Sequence, residues 1–179
     1  MTRFFISPGD PSGIGPEITL KALSKNKDIQ NNFVLAGDKA LYLDLIDRNN
    51  IDLNLIDESS KSKGVIFKHF PLQNQVSLGK PDVANANYII DILSYGSLGC
   101  LKKEFKGLIT GPINKELINE SGFEFSGHTE FLSDISNAKK VVMLLMNKKL
   151  KIALLTTHIP LSEVPSKISK KNLEETVSI

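Results

Sequence analysis

Short apolar runs separated by longer amphipathic segments make up most of this chain, and that alternation restricts its fold more tightly than anything else in the sequence. Parallel strands need crossover connections of roughly a dozen residues or more, so strand-sized apolar runs spaced by helix-sized stretches define an α/β architecture. Residues 3–7 read as a first strand and 33–36 as a second. Gly37 followed by Asp38 then predicts a capped helix over 39–48 in which Leu41, Leu45 and Ile46 share a face. The alternation across 51–56 predicts a half-exposed strand, and 65–67 another. Residues 81–98 carry Val83, Ala86, Tyr88, Ile90 and Leu93 at helical spacing, and 107–110 reads as a short buried strand.

Further along, the style changes. Residues 141–146 and 150–156 are separated only by Asn147, Lys148 and Lys149, which predicts an antiparallel hairpin instead of another crossover. A sheet of crossover units followed by a hairpin implies two subdomains meeting near 122–126, with a first domain over 1–121 and a second over 122–179. Residues 169–179 read as a helix with Leu173 and Val177 on one side, running to the last residue without a C-cap or breaker, so that helix is expected to be cut short.

Charge narrows the function classes. The 179 residues hold 22 Lys plus Arg against 20 Asp plus Glu, a formal net charge of +2. With the signs balanced and interspersed, no broad positive field is available for a phosphate backbone or an anionic membrane, so nucleic acid and membrane partners are not expected. The apolar runs at 141–146 and 152–155 are far shorter than the roughly 20 residues that span a bilayer. Pro8, Gly9 and Asp10 interrupt the start of the chain before a signal-peptide core can form, and the lone Cys100 cannot make an intrachain disulfide. A reducing cytoplasm is the expected setting.

The segments able to carry chemistry lie at the ends of expected strands. PGDPSGIGPE, at 8–17, combines glycines that permit close backbone approach with prolines that stiffen the loop, Pro16 falling at the first turn of a helix. Its glycine spacing is neither that of a P-loop nor that of the dinucleotide fingerprint, and composition alone leaves open a ligand loop or a tight strand-to-helix turn. GPINK, at 111–115, follows a strand and precedes a short helix with Leu117 and Ile118. In open α/β sheets ligands sit beyond the carboxyl ends of strands, where Asn114 and Lys115 offer donors to an anion, or else cap a helix and face solvent. FSGHTEFL, at 125–132, sets His128 and Thr129 at a helix start, suited to phosphate or carboxylate oxygens or simply to capping and packing. LLTTHIPL, at 154–161, ends an apolar strand in hydroxyls and His158, a placement that suits a metal ligand. A catalytic metal needs about three protein ligands, and His69, His128 and His158 are the only histidines, with His69 read as loop packing.

Together these segments resemble the 4-hydroxythreonine-4-phosphate dehydrogenase family (PdxA) of vitamin B6 biosynthesis. The likeness rests on PGDPSGIGPEI, GPINKELIN at 111–119, FSGHTEFL and LLTTHIPL, with GKPDVANANYI at 79–89 between them, in the family's order along essentially the whole chain. The resemblance implies a two-domain fold similar to the isopropylmalate and isocitrate dehydrogenases, truncated here within the second domain, and a homodimer with active sites between domains and subunits. It implies oxidation of 4-phosphooxy-L-threonine by NAD or NADP, loss of carbon dioxide to give 3-amino-2-oxopropyl phosphate, and a divalent metal such as zinc, magnesium or cobalt. Residue by residue, His128 and Thr129 match the family's substrate contacts and His158 its first metal-binding histidine, while Asp10, Asn114 and Lys115 are pocket candidates. Family members are considerably longer, so the chain resembles an N-terminal fragment and is expected to be inactive alone. The alternatives are a 4-phospho-threonate or 4-phospho-erythronate dehydrogenase of sugar-acid catabolism and a non-catalytic phosphate-ligand binding fragment.

Overall fold

The computed structural model describes residues 3–179. The chain divides into two compact units, the first ending at Ser136 and the second spanning Asn137–Ile179.

The first unit is a parallel sheet wrapped on both faces. Strand β1 (Arg3–Ser7) leads into α1 (Gly15–Lys25), β2 (Phe33–Gly37), α2 (Lys39–Arg48), β3 (Leu55–Ile56), β4 (Val65–His69), α3 (Ala86–Leu101) and β5 (Phe105–Thr110), followed by α4 (Lys115–Glu120) and α5 (His128–Ser136). The strand order is β3-β4-β2-β1-β5, every pairing parallel. Successive strand residues point to opposite faces, and the two halves of the core follow that period of two. Phe5, Val34, Ala36 and Ile66 pack against Ala86, Tyr88, Ile89, Ile92 and Leu93 of α3, with Ile118 and Phe125. Their neighbours Ile6, Leu35, Val65 and Phe67 pack against Leu20 and Leu23 of α1 and Tyr42 and Leu45 of α2. Full burial of a side chain such as Leu35 or Leu93 contributes about 1.5–3 kcal/mol.

Local chemistry sets the element ends. The Asp38 carboxylate caps α2 by accepting from the Leu41 N–H at 3.1 Å, as its position predicts. The expected strand over 51–56 is reduced to Leu55–Ile56. Residues 49–51 are used to close α2, with Asn50 in the left-handed region (φ 49°) and the Ile51 N–H donating to the Ile46 carbonyl at 2.9 Å. Similarly, Asp82 caps a short 3-10 turn (Val83–Asn85), so α3 starts at Ala86, later than expected, and continues to Leu101. Strand β5 is longer than expected but is not buried. It forms an edge of the sheet, and Ile109 is 43% exposed. Beside it an apolar groove of about 480 Å³ opens, lined by Ile6, Ile18, Leu23, Phe33 and Ile109 among others.

The second unit contains the antiparallel hairpin β6 (Leu144–Met146) and β7 (Lys151–Ala153), then α6 (Val164–Lys167) and α7 (Lys170–Ser178), the last capped by Ser169. Asn147 organises the hairpin turn, its side-chain oxygen accepting from the Lys149 and Leu150 N–H groups. Lys140 ties back to α7 through the Asn172 carbonyl at 2.9 Å and the Glu175 carboxylate at 3.4 Å. The division between the compact units falls after α5. Phe125 is buried in the first unit's core and Phe131 of α5 packs against it, which holds residues 125–136 to the sheet's own helical layer. No helix among the described residues is long and apolar enough to cross a membrane.

Candidate functional site

Because β2 and β4 lie on one side of β1 and β5 on the other, the chain reverses its winding between β1 and β5. In open α/β sheets that reversal opens the crevice where ligands bind, and both loops singled out from the sequence occupy it. They are interlocked. The Asp10 N–H donates to the Pro112 carbonyl at 3.1 Å and the Gly111 N–H to the Ser7 carbonyl at 2.7 Å. A Cβ on Gly9 would lie 2.1 Å from the Pro112 carbonyl oxygen, and one on Gly111 would lie 1.9 Å from that of Pro8. These glycines are therefore required by backbone-to-backbone contact between the two loops. The Gly79 N–H reaches the Ser12 carbonyl at 2.7 Å, which fixes the GKPD segment to the same loop.

Asp10, a pocket candidate, is buried, and its Oδ1 accepts from the Ser12 backbone N–H at 2.9 Å and the Ser12 hydroxyl at 2.7 Å. In this structure the carboxylate shapes its own loop. Asn114 likewise caps α4, its Oδ1 accepting from the Glu116 N–H at 3.1 Å and the Leu117 N–H at 3.4 Å. Lys115 is exposed at the first turn of α4 and turns its ammonium toward Gly127, where Nζ would be 3.3 Å from an added Cβ.

His128 opens α5, as expected, with Thr129 half-buried beside it. The imidazole is half-buried, yet its Nε2 is fully buried and has no hydrogen-bond partner. Burial, together with the Lys115 charge, holds its pKa below the ordinary histidine value, so the ring is neutral near pH 7. An unsatisfied buried ring nitrogen is costly, and an anion able to meet both it and the Lys115 ammonium would relieve that cost.

His69 ends β4, exposed, with its Nδ1 accepting from the Lys39 N–H at 3.2 Å; it stands in a strand and not in a loop. In the second unit, β7 stops at Ala153, so His158 is not at a strand terminus. It lies exposed in a bend with φ 54°, a left-handed conformation costing about 1–2 kcal/mol for a residue with a Cβ. Among the described residues no three His, Cys, Asp or Glu side chains converge to hold a metal ion. His158 can offer one ligand, and the described residues do not form a complete metal centre.

One contact beside the site was not anticipated from the sequence. The Asn119 side chain makes both backbone hydrogen bonds of Phe125, accepting from its N–H at 2.7 Å and donating to its carbonyl at 3.1 Å. The available signal was its spacing, since Asn119 follows Lys115 by one helical turn on α4.

Fold and site together define an α/β protein with a doubly wound parallel sheet, a crevice at the winding reversal floored by interlocked loops, and a corner beside it that holds His128, Lys115 and the Glu130 carboxylate. Residues 28–179 match the family described as "Pyridoxal phosphate biosynthetic protein PdxA". The chain belongs to that family. It is 36% identical to a 4-hydroxythreonine-4-phosphate dehydrogenase of Vibrio parahaemolyticus over 99% of its own length and 55% of the relative's. Among solved structures, the 4-hydroxythreonine-4-phosphate dehydrogenase of Klebsiella pneumoniae superposes with a TM-score of 0.86 at 25% identity, covering 99% of this chain and 57% of that one. That of Burkholderia phymatum gives 0.88 at 20% identity over 99% and 56%, a likeness of fold. The chain thus spans little more than half the length of the curated relatives it matches. The fold expected from the sequence, an α/β chain covering part of the family's two-domain architecture, is the one observed.

Proposed function

We propose that this chain carries the phosphate-recognising part of a dehydrogenase that oxidises 4-phosphooxy-L-threonine at its C3 hydroxyl, with later loss of carbon dioxide to give 3-amino-2-oxopropyl phosphate for pyridoxal phosphate synthesis. The observation that carries this reading is the buried, unpartnered Nε2 of His128 beside Lys115. A phosphate seated there accepts a hydrogen bond from the imidazole and neutralises the Lys115 charge. Thr129 adds a hydroxyl one residue on. Near pH 7 the neutral ring leaves Lys115 as the corner's cation, with the Glu130 carboxylate also against Gly127, and an approaching anion favours protonation of His128, so binding and proton uptake are linked.

A nicotinamide, NAD or NADP, accepts the hydride in this reading. The interlocked loops at 8–15 and 111–112 set the floor of the crevice before any ligand arrives. In this reading the second, substrate and metal domain begins within residues 122–179, and His158 is this chain's single contribution to a zinc, magnesium or cobalt site. The working form is a homodimer in the cytoplasm, with turnover dependent on groups outside these 179 residues.

Calorimetry with 4-phosphooxy-L-threonine tests the reading. The parent chain should bind and His128→Ala should bind at least about tenfold more weakly, the value of one charge-assisted hydrogen bond. Equal heats in the two overturn it. NADH formation by this chain with substrate and a divalent metal should be absent, and clear turnover would refute the need for further groups. Competition between 4-phosphooxy-L-threonine and 4-phospho-threonate in the active enzyme separates the vitamin pathway from sugar-acid catabolism, and preference for the acid would reassign the substrate.

A further inference from the structure

Helix α4 holds two residues one turn apart whose actions converge on His128. Lys115 places its ammonium over Gly127, the residue immediately before the imidazole. Asn119 satisfies both the N–H and the carbonyl of Phe125, at 2.7 and 3.1 Å. Such a two-point amide clamp fixes the path of the backbone at Phe125, and the buried Phe125 ring then stands T-shaped to the His128 imidazole, centroids 6.0 Å apart at 84°. Phe131, one turn into α5, also packs on Phe125, centroids 5.6 Å apart. The imidazole therefore takes its place from a packed ring whose own position is fixed by Asn119. Gly127 completes the arrangement, because an added Cβ would lie 2.9 Å from the Glu130 carboxylate as well as against Lys115.

We propose that Asn119 is a positioning residue for His128: its side chain clamps the Phe125 backbone, and the Phe125 ring in turn holds the imidazole facing the anion corner with Lys115. The clamp acts without touching the anion, so its loss displaces the ring while the sheet stays intact. This extends the anion-binding reading of His128 and rests on it.

The test uses the full chain with inorganic phosphate as probe and two readings, through-space NMR cross-peaks between the Phe125 ring and the His128 imidazole, and phosphate affinity. In the parent both are present. Asn119→Ala should lose the cross-peaks and weaken phosphate by about tenfold, with the amide resonances of the sheet unmoved. Asn119→Asp, which keeps the acceptor for the Phe125 N–H and loses the donor, should fall between the two. Should Asn119→Ala not fold, Asn119→Asp decides by the same readings. Cross-peaks and affinity unchanged in the folded variants overturn the proposal. A parent chain that binds no phosphate overturns the anion reading instead, and the cross-peaks still decide whether Asn119 positions the ring.

Discussion

The two compact units differ sharply in how they dispose of their apolar side chains. In the first, the sheet's two faces are both covered, and Phe5, Leu20, Leu35, Val65 and Leu93 are completely buried. In the second, Thr176 is the one buried residue among those described, while Leu144, Leu145, Met146, Leu150 and Ile152 are 44–64% exposed on both faces of the hairpin. A two-stranded hairpin has little stability unless a third strand or a helix covers it, so local turn chemistry at Asn147 has to do what packing does in the first unit. The comparison teaches that a correct local pattern, hairpin or helix, can be present where almost no burial supports it.

Hydrogen exchange tests that contrast most directly. Amides of β1 and β2 should be protected by about a thousandfold or more relative to those of β6 and β7, and equal protection would erase the distinction between the units. Next in size are substitutions in the first unit, read by chemical denaturation. Gly111→Ala should cost about 3–5 kcal/mol, since its Cβ would fall 1.9 Å from a backbone oxygen that cannot move independently, and Leu35→Ala about 2–5 kcal/mol. Leu144→Ala, half-exposed in the hairpin, should change stability by no more than about 0.5 kcal/mol, and a larger loss would show that the hairpin is well packed.

A smaller effect concerns pH. The folded pKa of His128 is lowered, first by burial and then by Lys115. Its contribution to stability is therefore full above the unfolded value near 6.5 and declines as pH falls, until the folded ring itself takes a proton. Lys115→Met removes the repulsion, so NMR titration should show the His128 pKa rising toward the ordinary value and the acid-side loss of stability shrinking. A pKa that stays in place would mean that burial alone sets it. Smallest of all, Arg48→Ala breaks only an exposed ion pair with Asp44 one turn away and should cost no more than about 0.5 kcal/mol.

How much of this was legible in the sequence depended on whether the signal was local. The Asp38 cap, the helix over 39–48 and the parallel strands were readable because capping and period-two or helical spacing involve neighbouring residues. So was the start of α5 at His128. The shortening of β3 was not, since it depends on Asn50 adopting a left-handed backbone to finish α2, and neither was the exposure of β5, which follows from its place at the sheet edge. At the site, the residue types were visible and their employment was not. Asp10 and Asn114 have the chemistry of ligand contacts, but tertiary structure gives one to Ser12 and the other to the α4 N-terminus. The Asn119 to Phe125 clamp joins groups that only a folded loop brings together.

The glycine contacts joining residues 8–15 to residues 111–112 have a thermodynamic corollary. A ligand entering over them meets a surface whose ordering entropy was already lost when the sheet formed, so little of its affinity is consumed in arresting loop motion. The same coupling ties any shift at the first strand's exit to the start of α4, where the lysine and the asparagine are anchored.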